Sequence, residues 1–238
     1  MKHIPRVFVP GRILQGLLTI EGEPARHLAT VLRARPGDPV HLFSGDGKEW
    51  RAEVRTAGKS SVACEVGEVS RIEAPSPVVL HVWAAPVRAN RFDWLIEKCA
   101  EAGADVIRPV ITEFTQRADA AGNRVERWSR IAVEACEQCG RLFVPVIEPP
   151  TALEAALASY RGTLLFGDPD GLAAAEALRL VTPAGHVALV IGPAGGLSPS
   201  DVDRLRARGA IAMKFGPHLL RTETAALAGT AIIRSVLP

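Results

Sequence analysis

The sequence lacks long apolar runs. Stretches such as Val187–Ile191 fall far short of the ~20 residues that a membrane span needs. The basic start, Met1-Lys2-His3-Ile4-Pro5-Arg6, is not followed by an apolar core. No signal peptide is therefore expected, and the reading is a soluble, cytoplasmic protein without a membrane partner. Cysteine is scarce. Four in 238 residues exclude a disulfide-stapled secreted scaffold. One pair, Cys136-Glu137-Gln138-Cys139, has C-x-x-C spacing, but no second C-x-x-C and no H-x-x-x-H exists to complete a zinc site. The pair also comes late in a helical pattern, whereas a redox thiol needs a helix start to lower its pKa. No metal is expected, and both cysteines read as packing residues. Glycine (21) and proline (18) together make up about 16%, below the level of low-complexity chains, and 47% of residues are hydrophobic, which excludes wholesale disorder. Net charge is also small, at +2. The surplus is uneven: residues 1–74 hold 11 Lys/Arg against 9 Asp/Glu, and residues 75–238 hold 17 of each. A small basic excess on the N-terminal part is compatible with a polyanion partner.

Residues 1–74 read as β-rich. Short segments at Arg6–Val9, Pro39–Phe43, Glu49–Arg55 and Ser61–Glu65 are separated by turn signals at Gly37-Asp38, Gly45-Asp46-Gly47 and Gly58-Lys59. One helical stretch falls near Pro24–Leu32. Several short strands at this spacing suggest a small barrel. Glu73-Ala74-Pro75-Ser76-Pro77 reads as a linker, because proline biases its surroundings to extended conformations. From residue 75 to 238 the pattern changes to alternating elements. Strands are expected at Val78–Ala84, Val106–Ile111, Thr163–Phe166, His186–Ile191 and Ile211–Phe215. Helices are expected around Phe92–Cys99, Val125–Gln138, Leu172–Leu180, Pro199–Ala207 and Thr222–Val236. Apolar strands alternating with helices predict an α/β fold whose parallel sheet is covered on both faces.

Three segments carry chemistry. Ile191-Gly192-Pro193-Ala194-Gly195-Gly196-Leu197 lies between an apolar strand and a helix opened by Ser198-Pro199-Ser200-Asp201. Glycines at the carboxyl end of a parallel strand let a ligand approach the backbone. The spacing is neither G-x-G-x-x-G nor a P-loop, so a nucleoside-like ligand held by backbone groups fits best. Phe215-Gly216-Pro217-His218-Leu219-Leu220-Arg221-Thr222-Glu223 also follows a strand and enters a helix, which Thr222 can cap. The two loops at one end of neighbouring strands would share a pocket. The third segment, Trp128 to Arg141, places Glu134, Gln138 and Arg141 on one helical face. That face can be solvated, or turned to RNA or to a second copy.

Further residues carry a resemblance over nearly the whole chain. They are Arg6-Val7-Phe8, His27-Leu28-x-x-Val31-Leu32-Arg33 with Gly37-Asp38, and Glu97-Lys98-x-x-Glu101-x-Gly103. Beyond them come Ile131-Ala132-x-Glu134-Ala135-Cys136-Glu137-Gln138-x-Gly140-Arg141-x-x-Val144-Pro145, Ile191-Gly192-Pro193-x-Gly195-Gly196-Leu197 and Leu220-Arg221-Thr222-Glu223-Thr224-Ala225. In this order and spacing they resemble the bacterial ribosomal RNA small-subunit methyltransferase E family of the SPOUT superfamily. The resemblance implies a PUA-like β-barrel over residues 1–74 that binds RNA. Behind it, over residues 75–238, it implies a SPOUT methyltransferase domain with a deep trefoil knot. It further implies S-adenosylmethionine as cofactor, a homodimer, and methylation of N3 of a uridine in the small-subunit RNA, free or in the assembled subunit, with no part for DNA. On this reading the cofactor lies among Leu165, Gly167, Ile191, Gly192, Gly195, Gly196, Phe215, Gly216, Leu219, Leu220, Thr222 and Ala225. The family commonly carries Glu where Ala194 stands, and an acidic–basic pair where this chain has Glu113-Phe114.

Methyl transfer from a sulfonium is a displacement in which positioning carries much of the rate. The proton on uridine N3 must leave, which calls for a base or for a cation that stabilises the developing anion. Arg221 is the candidate for the second role and Glu223 for the first, unless Glu223 only orients Arg221. Arg6, Arg12, Arg33 and Arg35 are the candidates for phosphate contacts. Two other readings stand beside this one: methylation of a ribose 2′-OH in another RNA, and a non-catalytic RNA-binding assembly factor.

Overall fold

The computed structural model describes residues 4–58, 60–116 and 124–237. Met1, Lys2, His3 and Lys59, named above, lie outside the described residues. The chain forms two compact units, one of Met1–Pro75 with Cys136–Val144, the other of Ser76–Ala135 with Pro145–Pro238.

The first unit is built on a five-stranded sheet of β1 (Arg6–Phe8), β2 (Gly16–Glu21), β3 (Pro39–Phe43), β4 (Lys48–Ala57) and β5 (Ser61–Ile72). A short helix, α1 (Gly22–Arg26), runs into a π-helical turn at His27–Val31. The strand order is β1-β3-β4-β5-β2, with β1 parallel to β3 and the other neighbours antiparallel. In β5, Val62, Cys64 and Val66 are buried while Glu65 is exposed, the two-residue alternation of a sheet with one face in a core. They pack with Val7, Ile20, Leu28, Val40, Leu42 and Val54. β2 carries too weak a pattern to be read from sequence, because Leu17 on it is 69% exposed.

The segment Cys136–Val144 completes this unit. Cys136 and Leu142 are buried against Phe43. The Phe8 amide donates to Glu137 Oε1 at 2.8 Å, and the Leu142 amide donates to Glu73 Oε2 at 2.7 Å. Arg6 donates to Glu49 Oε2 at 2.5 Å and to the Glu137 carbonyl at 3.1 Å. Composition and periodicity carry no sign of these pairings, which join residues 43 to 131 positions apart.

The second unit contains β6 (Val78–Ala84), α2 (Ala89–Glu101), β7 (Val106–Ile111), α3 (Val125–Cys139), β8 (Val146–Ile147), β9 (Thr151–Ala152) and α4 (Leu153–Ser159). It continues through β10 (Thr163–Ala173), α5 (Ala174–Arg179), β11 (Gly185–Ile191), α6 (Pro199–Ala207), β12 (Ile211–Lys214) and α7 (Thr222–Val236). The last residues of α3 belong to the first unit. The sheet runs β12-β10-β11-β6-β7-β8 and is parallel at every step, with β9 paired to β7. Both faces are covered. Ala188 and Val190 of β11 join a core with Leu153, Leu157 and Leu205 of α4 and α6. Leu189, between them on the strand, faces the other way, where a side chain at Gly229 of α7 would touch it. The expected parallel α/β sheet is thus present. The short elements β8, β9 and α4 are additions, each too brief to register as a period.

Candidate active site

The sheet order places β10 between β11 and β12, so the loops leaving the carboxyl ends of all three strands converge. That is where parallel α/β sheets bind ligands. A cavity of about 310 Å³ lies there, within the second unit. The first glycine loop lines it from Ile191 to Leu197, the second through Phe215, Gly216, His218, Leu219 and Leu220, and Thr222 and Ala225 close it from α7.

Thr222 does not cap α7 as the sequence suggests. Arg221 is the N-cap and makes no side-chain capping bond. Thr222 is 4% exposed and donates its hydroxyl to the Gly192 carbonyl at 3.0 Å. The side chain therefore ties the two loops together. A helix that opens next to another loop can spend its first hydroxyl on that loop, and sequence order alone does not reveal the neighbour.

Two glycines shape the first loop for different reasons. At Gly192 a Cβ would stand 2.9 Å from the Leu197 amide nitrogen and 3.0 Å from the Gly196 carbonyl carbon, both backbone atoms. The loop can close on itself only without that atom. Gly196 has open space around it but a φ of +79°, which side chains rarely adopt. The loop ends in a full capping box: Ser198 Oγ accepts from the Asp201 amide at 3.0 Å, and the Asp201 carboxylate accepts from the Ser198 amide at 3.4 Å. That carboxylate also accepts from the Glu113 amide at 3.2 Å, fixing the turn after β7 beside the loop.

Eleven of the twelve expected cofactor residues line the cavity, from Gly167 through Ala225. Leu165 does not. It is fully buried in β10, two residues and so about 7 Å deeper than Gly167 at the rim. The cavity adds Pro193, Ala194 and Leu197 of the first loop, and beyond it Asp168, Pro169, Met213, Lys214 and His218. His218 belongs to the second segment read from sequence, and Asp168-Pro169 has its own signal, the turn-forming run Gly167-Asp168-Pro169-Asp170-Gly171 inside β10.

Arg221 is exposed, between two residues that line the cavity. Glu223 is 8% exposed and faces Arg91 Nη1 of α2 at 3.7 Å. The cation beside Glu223 is thus Arg91, which sequence order could not point to. Among the four candidate RNA contacts, Arg12, Arg33 and Arg35 are exposed on the first unit. Arg6 is not free for phosphate: its guanidinium is held between Glu49 and the Glu137 carbonyl. Of the two cysteines read as packing residues only Cys136 is buried, and that burial pushes its thiol up to about 12; Cys139, three residues on, is exposed.

Comparisons with known proteins agree with this geometry. Residues 74–234 match the model of the RNA methyltransferase domain, and residues 20–67 that of the RNA methyltransferase PUA domain. Ribosomal RNA small subunit methyltransferase E of Bacillus subtilis is 28% identical, covering 88% of this chain and 86% of the relative. Its counterpart from Mycobacterium bovis is 30% identical over 87% of this chain and 82% of the relative. The crystal structure of the Neisseria gonorrhoeae enzyme bound to S-adenosyl methionine superposes with a TM-score of 0.88 at 30% identity, covering 98% of both chains. With the two domain models following each other in one chain and relatives matched over most of their length, the chain belongs to the ribosomal RNA small subunit methyltransferase E family.

Proposed function

We propose that this protein transfers the methyl group of S-adenosylmethionine to N3 of a uridine in small-subunit ribosomal RNA. The observation that carries this reading is the cavity between two glycine loops tied by Thr222, in a chain whose Neisseria relative is solved with that cofactor. The cavity fits it. Ile191, Met213, Phe215, Leu219 and Leu220 offer apolar walls for an adenosyl group, and the loop backbones offer donors and acceptors for its polar edges. When bound, the cofactor supplies an electrophilic methyl on sulfonium.

The remaining work falls to the chain. The target base must be extruded or unpaired for its N3 to be reached. Arg221, exposed at the cavity rim, stabilises the negative charge that develops on the uracil oxygens as the N3 proton leaves. Glu223, held against Arg91, is the candidate acceptor of that proton. Residues 75–238 carry the transfer, and residues 1–74 dock RNA through Arg12, Arg33 and Arg35, which position the backbone without reading sequence. The protein acts as a homodimer in the cytoplasm. Among the described residues no helix is long and apolar enough to cross a membrane.

Nucleoside mass spectrometry of small-subunit RNA, treated as free RNA and as assembled subunits, tests the reading. The expected product is 3-methyluridine. A methylated ribose would support the 2′-OH alternative, and cofactor binding without turnover on either substrate would support a non-catalytic assembly factor.

A further inference from the structure

The turn after β7 carries a side chain that the cavity does not absorb. Phe114 is 49% exposed, although the ring is large and apolar. It is not on a loose loop. The Thr112 amide donates to Thr115 Oγ1 at 2.9 Å, the two hydroxyls meet at 2.9 Å, and the Thr115 amide returns to the Thr112 carbonyl at 3.1 Å. The Glu113 amide is anchored on Asp201, which is 2% exposed and caps the helix that follows the first glycine loop. Phe114 is therefore presented from a braced turn. Its ring lies against that loop: a Cβ built on Gly195 would touch Phe114 Cβ and Cδ2 at 3.9 Å.

Phe114 does not itself line the cavity, whereas Gly195, on whose Cβ side it stands, does. Its exposed face lies outside the space that fits the cofactor. The second loop brings two more uncovered apolar groups to the cavity, Leu219 at 82% and Leu220 at 39% exposure. A water-facing apolar group at the mouth of a binding cavity marks a contact surface. Held rigid, a flat ring suits the π-face of an unstacked base, which is how proteins hold single-stranded RNA.

We infer that Phe114 is the stacking platform for the extruded target uracil. This rests on the methyltransferase reading above and names the residue that holds its substrate. Stacking a base on one aromatic ring predicts a loss of roughly tenfold or more in RNA affinity when the ring is removed.

The test compares wild type with Phe114→Ala, Phe114→Leu and Phe114→Trp, measuring methyl transfer into small-subunit RNA and, by calorimetry, S-adenosylmethionine binding. Phe114→Ala is expected to raise KM for RNA roughly tenfold, with a smaller change in kcat and unchanged cofactor affinity. Phe114→Trp should restore KM, and Phe114→Leu should not. Equal KM for wild type and Phe114→Ala would overturn the inference. So would equal rescue by Leu and Trp, which would mean packing without stacking, or a loss confined to cofactor affinity, which would place the ring against the adenine. A wild-type protein that methylates no RNA would overturn the functional reading, and this inference with it. A wild type that methylates normally beside an unaffected Phe114→Ala would remove the inference alone.

Discussion

Replacing Thr222 with Val removes one hydroxyl and keeps the shape of the side chain. In the wild-type protein that hydroxyl donates to the Gly192 carbonyl at 3.0 Å from a side chain that is nearly fully buried. Val cannot donate, so the carbonyl loses its partner and the first loop loses its tie to α7. Leaving such a group unpaired costs about 1–3 kcal/mol when water cannot reach it. Gly192 is only half-buried, so water restores part of the bond, and the lower end, about 1.4 kcal/mol, applies. The cavity needs both loops in place, so this cost falls on ligand binding, where 1.4 kcal/mol is about tenfold in Kd. Isothermal calorimetry with S-adenosylmethionine reads it directly. Thr222→Val should bind about tenfold more weakly, and Thr222→Ser, which keeps the hydroxyl, should bind within about threefold of wild type. If Thr222→Val binds like wild type, the hydroxyl does not organise the cavity. If Thr222→Ser fails equally, the lost methyl matters and the hydrogen bond does not.

Four further outcomes are expected. Gly192→Ala places a Cβ at 2.9–3.0 Å from loop backbone, so cofactor affinity measured by calorimetry should fall about tenfold or more while circular dichroism is unchanged. Arg221→Ala should lower kcat by roughly 10²–10³-fold in a methyl-transfer assay, the range of a lost anion-stabilising donor, and Arg221→Lys should recover only part because it lacks the planar fork. Ellman's reagent should label one thiol of the native chain, the exposed Cys139, and four after unfolding, because Cys64, Cys99 and Cys136 are buried and burial pushes their thiols up to about 11, 12 and 12. Burial, with His186 alongside, pushes His81 down to about 4 from 6.5. The unfolded chain therefore binds more protons between those values, and stability is lost as pH falls through that window. Tm should drop from pH 7 to pH 5, and less steeply in His81→Phe.

How much of this was legible in the sequence differs by element. The parallel sheet was, because strands such as Val78–Ala84 and Val106–Ile111 are apolar but for His81 and Arg108 and keep the bounds read from sequence. Helix α6 was too, because Ser198-Pro199-Ser200-Asp201 is a local start signal whose partners lie within one turn. Both glycine loops were legible from position, at the carboxyl ends of strands. What sequence could not supply was side-chain pairing over long separations. Thr222 reads as a cap until Gly192 is seen beside it. Glu223 stands two residues from Arg221 in sequence but faces Arg91 in space. Arg6 counts as a free cation until Glu49 and the Glu137 carbonyl are found around it. Leu165 differs in another way: the strand expected at Thr163–Phe166 is there, but its residue 165 is fully buried, two positions short of Gly167, where the cavity lining begins.

The most direct measurement is a crystal structure of the protein with S-adenosylmethionine. The adenosyl group is predicted between residues 192–197 and 215–222, with the methyl directed toward Arg221. A cofactor bound away from these two loops, or one whose methyl points away from Arg221, would contradict the assignment of this site.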